Sequence, residues 1–189
     1  MKDRIDSVLQ HNSYLLKEII EYINNKNIYI VGNIEDLSDV IINAPILVRL
    51  NKTCSWGKCD IVFSDDEVVG YSNYPQKYIV RFPKDGNRDL LLKNYPPELE
   101  HKTLFCSLEE WSAATKEIGT PFPLTETIAA YWFLKHTSSH ITLLNYSFSE
   151  KQTDYATGKV SYLDEKHKPL VDKQYLSSQD RVTLQRVSL

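Results

Sequence analysis

His167, with Asp172 five positions on, is the pair in this chain whose residue types best suit proton transfer near neutral pH. Imidazole has the side-chain pKa closest to neutrality, and a carboxylate about one helical turn away can hold the ring and stabilise its charged form. A surface histidine ahead of a helix accounts for the same residues. Gly32-Asn33 and Arg49-Leu50-Asn51 form a second group, each closing a short apolar run, IYIV and PILV. Glycine lets backbone approach a ligand closely, and an asparagine amide can donate and accept toward a phosphate, ribose or base. The alternative for Gly32-Asn33 is an ordinary strand-to-helix turn with Asn33 as N-cap. No G-x-G-x-x-G dinucleotide fingerprint is present. The third group is Phe122-Pro123-Leu124-Thr125, a helix start whose amides and hydroxyl suit an anion such as a nucleotide phosphate. Glu126 in the first turn favours the helix but repels a phosphate, and Thr125 as a plain N-cap is the competing reading.

Other clusters have the types but not the setting. Asp65-Asp66-Glu67 follows an apolar strand, where metal-dependent glycosyltransferases hold a divalent cation against donor phosphates; an acidic surface turn is the commoner explanation. His136 and His140 have helical metal-pair spacing, but Thr137-Ser138-Ser139 between them reads as a helix end, so the two should not share a face. The three cysteines, Cys54, Cys59 and Cys106, are odd in number. Cys54 and Cys59 are spaced more widely than zinc ribbons and redox motifs require, so all three read as reduced thiols and no metal site is expected.

The elements that must position these residues follow from periodicity. Ile5, Val8, Leu9, Leu15, Leu16, Ile19, Ile20 and Ile23 recur at helical spacing and predict an amphipathic first helix. Ile28 to Val31 is a short, fully apolar strand, and a short helix carrying Leu37, Val40 and Ile41 leads to a second strand over 45–50. Further strands are expected over 60–63, 77–82, 103–106, 141–144 and 182–185. Ser107 with Glu110 three positions later is a capping box for a helix through Lys116, closed by Gly119. Residues 125–136 form a helix apolar almost all round, which belongs in the middle of a domain, and 168–176 form a last helix. The region around Leu90 to Pro97 has no clear assignment, and 150–159 reads as a polar stretch between elements. Strand, helix, strand with short connections favours parallel pairing and right-handed crossovers: an α/β fold with a mainly parallel, doubly wound sheet and helices on both faces. In such sheets ligands bind beyond the carboxyl ends of the strands, where both Gly32-Asn33 and Asn51 fall.

The bulk numbers set limits. A chain of 189 residues, without a break in composition, suffices for one domain with a sizeable core. Its 42% hydrophobic and 25% charged residues place it among globular proteins. The apolar runs are interrupted by charge or proline, and the amino terminus lacks the apolar core of a signal peptide, so no transmembrane segment and a cytoplasmic location are expected. A net charge of −3 with scattered Lys and Arg argues against nucleic acid as a partner.

In order along the chain, these pieces resemble the sialyltransferase family of glycosyltransferases, compact bacterial or viral members included. IYIVGN followed by PILVRLN resembles the family's large motif, and WGKCDIVFSD its G-x-K-T-D-x-x-F continuation. Pro123-Leu124-Thr125-Glu126 resembles the small motif P-S-T-G; Ser161-Tyr162-Leu163-Asp164 is loosely similar to H-Y-x-D, and His167 to Asp172 to the terminal H-x4-E. The resemblance spans Ile28 to Asp172 and implies a single Rossmann-like glycosyltransferase domain over 1–189. It implies a CMP-activated sugar, sialic acid in the family, as donor and a saccharide as acceptor, with no cofactor and no metal. Gly32, Asn33, Asn51 and Thr125 would lie at the donor, and His167, with Asp172, would act as general base in an inverting displacement. Departures from the family pattern at Ile34-Glu35-Asp36, Glu126 and Ser161 keep a second reading open, a catalytically inactive nucleotide- or sugar-binding module of the same fold.

Overall fold

The computed structural model describes residues 2–31, 44–51, 59–64, 76–83, 95–144, 146, 148, 151–154, 159–162 and 166–185. Helix α1 (Lys2–Ile23) leads into strand β1 (Ile28–Val31), followed by β2 (Ile46–Leu50), β3 (Ile61–Ser64) and β4 (Tyr78–Arg81). A one-turn helix α2 (Pro97–Glu100), β5 (Thr103–Phe105), α3 (Leu108–Ile118), α4 (Thr125–His136) and β6 (Ile141–Leu144) come next. The chain continues through β7 (Lys151–Asp154), β8 (Lys159–Tyr162), α5 (Pro169–Ser177) and β9 (Val182–Gln185). The expected short helix around Leu37, together with Gly32, Asn33, Cys54 and Asp65-Asp66-Glu67, lies outside the described residues.

Seven strands make one sheet in the order β5-β4-β3-β2-β1-β6-β9, and every pairing in it is parallel. The fold is therefore the α/β, Rossmann-like architecture that the alternation of elements predicted. The chain steps outward from β1 to β5, then returns to the opposite side of β1 with β6, which places the reversal of strand order between β1 and β6. Two features went unread in the sequence. Residues 151–154 and 159–162 pair as a separate antiparallel hairpin, and 97–100 form a helical turn. Both are short and largely polar, so neither carries a hydrophobic period to betray it.

Burial alternates by strand face, as pleating requires. Ile28, Ile30, Val48, Leu50, Ile61, Phe63, Val80 and Leu143 belong to one apolar layer with Leu15, Ile19 and Ile23 of α1 and Ile128, Trp132 and Phe133 of α4. Val31, Leu47, Val62, Ile79, Phe105 and Leu144 face the other way, with Val8 of α1 and Leu99 of α2. Polar residues of helix α1 register it against successive strands of the sheet. Asn12 both donates to the Phe105 carbonyl (2.8 Å) and accepts from the Phe105 amide (3.1 Å), Glu18 accepts from the Tyr78 hydroxyl (2.8 Å), and Asp60 accepts from the Tyr22 hydroxyl (2.8 Å). The Asn12 amide thereby covers backbone groups of the edge strand β5 that would otherwise invite another strand.

Candidate active site

Because all seven strands run the same way and α4 ends at His136 just before β6 begins at Ile141, the start of α4 lies at the carboxyl edge of the sheet. Helix α5 stands in the same relation to β9, so its start is at that edge too. The carboxyl ends of β1 and β6, where strand order reverses, are the crevice in which open α/β sheets hold ligands.

Three of the residues singled out in the sequence meet the segment 122–125 at this edge. His167 Nδ1 is 2.9 Å from the Phe122 carbonyl oxygen. Asp172 Oδ1 accepts from the Leu124 amide at 2.9 Å. Asn51 Nδ2 donates to the Thr125 hydroxyl over a longer 3.4 Å. Asn51 follows β2 with φ of 46°, a left-handed conformation that asparagine tolerates better than most residues and that turns the chain as it leaves the strand. A sequence separation of 74 residues between Asn51 and Thr125 is closed by the parallel sheet alone.

The histidine geometry has a chemical consequence. A carbonyl oxygen can only accept, so Nδ1 must carry the proton, and in the neutral ring the lone pair is then on Nε2. Among the described residues Nε2 has no hydrogen-bond partner, and the ring is half-buried. Sequence spacing suggested that Asp172 itself holds the ring; instead the Phe122 carbonyl does. The reason is that α5 begins only at Pro169, so His167 precedes the helix while Asp172, in its first turn, points inward.

Asp172 is fully buried. Burial raises its carboxyl above the ordinary aspartate range, opposed by the nearby Thr127 hydroxyl, the Leu124 amide and the neighbouring His167 ring. Its Oδ2 makes no hydrogen bond of ordinary geometry. Tyr146, just past β6, completes this polar cluster. Its hydroxyl is 3.4 Å from Thr127 Oγ1, and burial, with the charge of Glu126 next in weight, pushes the phenol well above its usual value. Phe148 follows with φ of 45° and its ring centroid 4.1 Å from that of Tyr146. Positive φ at a bulky residue is uncommon and concentrates at functional sites. Sequence reading missed Thr127, Tyr146 and Phe148; the usable signal was position, since the latter two directly follow a strand at the reversal of order.

The amide of Leu124, which a bound phosphate would seek at this helix start, is already taken by the Asp172 carboxylate, and Glu126 adds a second negative charge in the same turn. Arg49 differs from Asn51 in its setting: it lies within β2 and is buried at 5% exposure, whereas Asn51 has left the strand with its left-handed backbone. His136 and His140 have separate partners, His136 Nε2 lying 3.4 Å from Glu110 and His140 Nε2 2.8 Å from the Thr183 hydroxyl, as the intervening helix end predicted. Cys59 and Cys106 are both buried, and Cys106 is a free thiol. Among the described residues no group of three metal-ligating side chains gathers, and no helix is long and apolar enough to cross a membrane. Comparison with protein-family models, with curated proteins and with solved structures finds no match for this chain.

Proposed function

We propose that the protein is an inverting glycosyltransferase that moves a sugar from a CMP-activated donor, sialic acid in the nearest reading, to a saccharide acceptor. The observation that carries this reading is the convergence of Asn51, His167 and Asp172 on the single segment 122–125 at the carboxyl edge of a parallel sheet. In this reading His167 Nε2 takes the proton of an acceptor hydroxyl. The acceptor oxygen attacks the anomeric carbon, the bond from that carbon to the donor phosphate breaks, and CMP leaves without a metal. Asn51 and Thr125 lie beside the donor, and Gly32 and Asn33 are assigned to it on their residue types and the family resemblance alone. General-base catalysis of this kind contributes roughly 100- to 10,000-fold.

The test is transfer or hydrolysis of a labelled CMP-sugar by purified protein, repeated with His167→Ala. Loss of turnover by about that factor, with thermal unfolding unchanged, is expected. Turnover that is indifferent to the substitution removes His167 from the mechanism, and activity abolished by a strong chelator moves the reading to a metal-dependent enzyme built on Asp65, Asp66 and Glu67.

One observation favours a second reading, a nucleotide- or sugar-binding module without catalysis: two carboxylates, Asp172 and Glu126, stand at the helix start where an anionic donor is expected. Calorimetry showing CMP binding without turnover across a panel of donors would select it. A thermal-shift screen with nucleotides and nucleotide sugars serves both readings, because a ligand bound only by the folded state raises its apparent stability.

A further inference from the structure

We infer that Asp172 is a positioning residue that fixes the tautomer of His167 through the backbone of the α4 entry segment, with the Phe122 carbonyl as the group in contact with the ring. The inference concerns the same site and rests on His167 serving there as the base. Two hydrogen bonds grip one short segment from the same side of the sheet. His167 binds the carbonyl of Phe122, and Asp172 binds the amide of Leu124, two residues further on, each at 2.9 Å. Pro123 between them has its φ fixed by the ring, which leaves its ψ as the single soft torsion separating the two peptide groups. Helix α4 begins immediately afterwards at Thr125, which ties the segment to the buried core through Ile128.

The chemistry needs this arrangement. An imidazole free to choose its tautomer presents the Nε2 lone pair for part of the time only. The Phe122 carbonyl makes Nδ1–H the favoured form, provided that the carbonyl keeps pointing at the ring. Asp172 supplies that condition from a fully buried position, in which Oδ1 is committed to Leu124 and Oδ2 forms no hydrogen bond of ordinary geometry. A carboxylate with so little compensation is poorly explained by stability alone, since burial of an under-bonded charge costs free energy. Asp172 and His167 are thus coupled through two peptide groups, without a hydrogen bond between their side chains.

The experiment reads the tautomer directly, by long-range nitrogen–proton NMR of the His167 ring in the full chain at neutral pH. The wild-type protein is expected to show Nδ1–H with Nε2 unprotonated. Asp172→Asn keeps an acceptor for the Leu124 amide and should retain that single tautomer, whereas Asp172→Ala should give a mixture. Turnover should fall about 100-fold in the alanine variant, as a misplaced catalytic group does, and be largely restored in the asparagine variant. If Asp172→Ala does not fold, Leu124→Pro removes the same hydrogen bond from the other side, at a residue whose φ of −68° proline already satisfies, and the mixture should appear there. Nε2–H in the wild-type protein, or an unchanged tautomer in the alanine or proline variant, overturns the inference. Because the spectrum does not depend on any substrate, a protein inert toward CMP-sugars but with the expected tautomer shifts would count against the proposed function and leave the positioning role standing.

Discussion

At the scale of single residues, Asp172 is the group whose environment departs furthest from what its neighbours in sequence suggest. Its pKa is raised, so between the ordinary aspartate value of 3.8 and the folded value the native state binds more protons than the unfolded chain. Stability therefore falls as pH rises through that window and stays at the lower level above it. Asp172→Asn has no such term. The difference in melting temperature between variant and wild type should shift in the variant's favour as pH is raised from below 4 toward neutrality, a trend that paired thermal melts across pH would detect or deny. Glu110 behaves in the opposite sense. Burial alone would raise its carboxyl, but the His136 ring and the Ser107 amide outweigh burial and hold it below 4.5. Its contribution is present above that value and is lost as pH falls through the depressed folded pKa, and Glu110→Gln should flatten this acid limb.

At the scale of elements, α3 is the clearest case of a boundary written locally. Ser107 accepts from the Glu110 amide at 3.1 Å, Glu110 returns the contact to the Ser107 amide at 2.7 Å, and Gly119 closes the helix at φ of 86°. Removing the cap with Ser107→Ala should cost about 1 kcal/mol in urea unfolding, with an unchanged slope. Helix α4 is governed by different physics. It has no side-chain cap at Leu124, and its start is instead supplied from 48 residues away by Asp172. The competing reading of Thr125 as a plain N-cap does not hold: it is already the first helical residue, and its hydroxyl accepts from Asn51.

At the scale of the whole molecule, the sheet and α4 share one aromatic core. Phe63 packs against Phe82, Trp132 and Phe133 with ring centroids 5.4, 6.4 and 6.3 Å away, and all four side chains are fully buried. Trp132→Ala should cost about 4 kcal/mol in denaturant unfolding, since neighbours on a sheet and a helix cannot both collapse into the void. Because α4 carries both this core and the entry segment of the site, such a loss should weaken ligand binding along with stability. A variant that unfolds earlier yet binds nucleotides unchanged would show the site to be independent of the core.

The local code settled most elements by itself. The strand Ile28–Val31 and the helix Thr125–His136 begin and end where the apolar runs and breakers put them, because a strand or helix buried on all sides must be apolar nearly throughout. The edge strand Val182–Gln185 is marked instead by its alternation of apolar and polar residues. Asn51 was legible as a polar residue at the end of an apolar run, Thr125 as a hydroxyl at a helix start, and His167 with Asp172 from their residue types and spacing. What the sequence could not specify is who touches whom. A separation of five positions between His167 and Asp172 suggests direct contact, and only the packing of α5 against the start of α4 turns one toward the Phe122 carbonyl and the other toward the Leu124 amide. Such contacts span more than 40 residues, so the energy that selects them comes from burial of the whole sheet and its helices, and no local pattern records it.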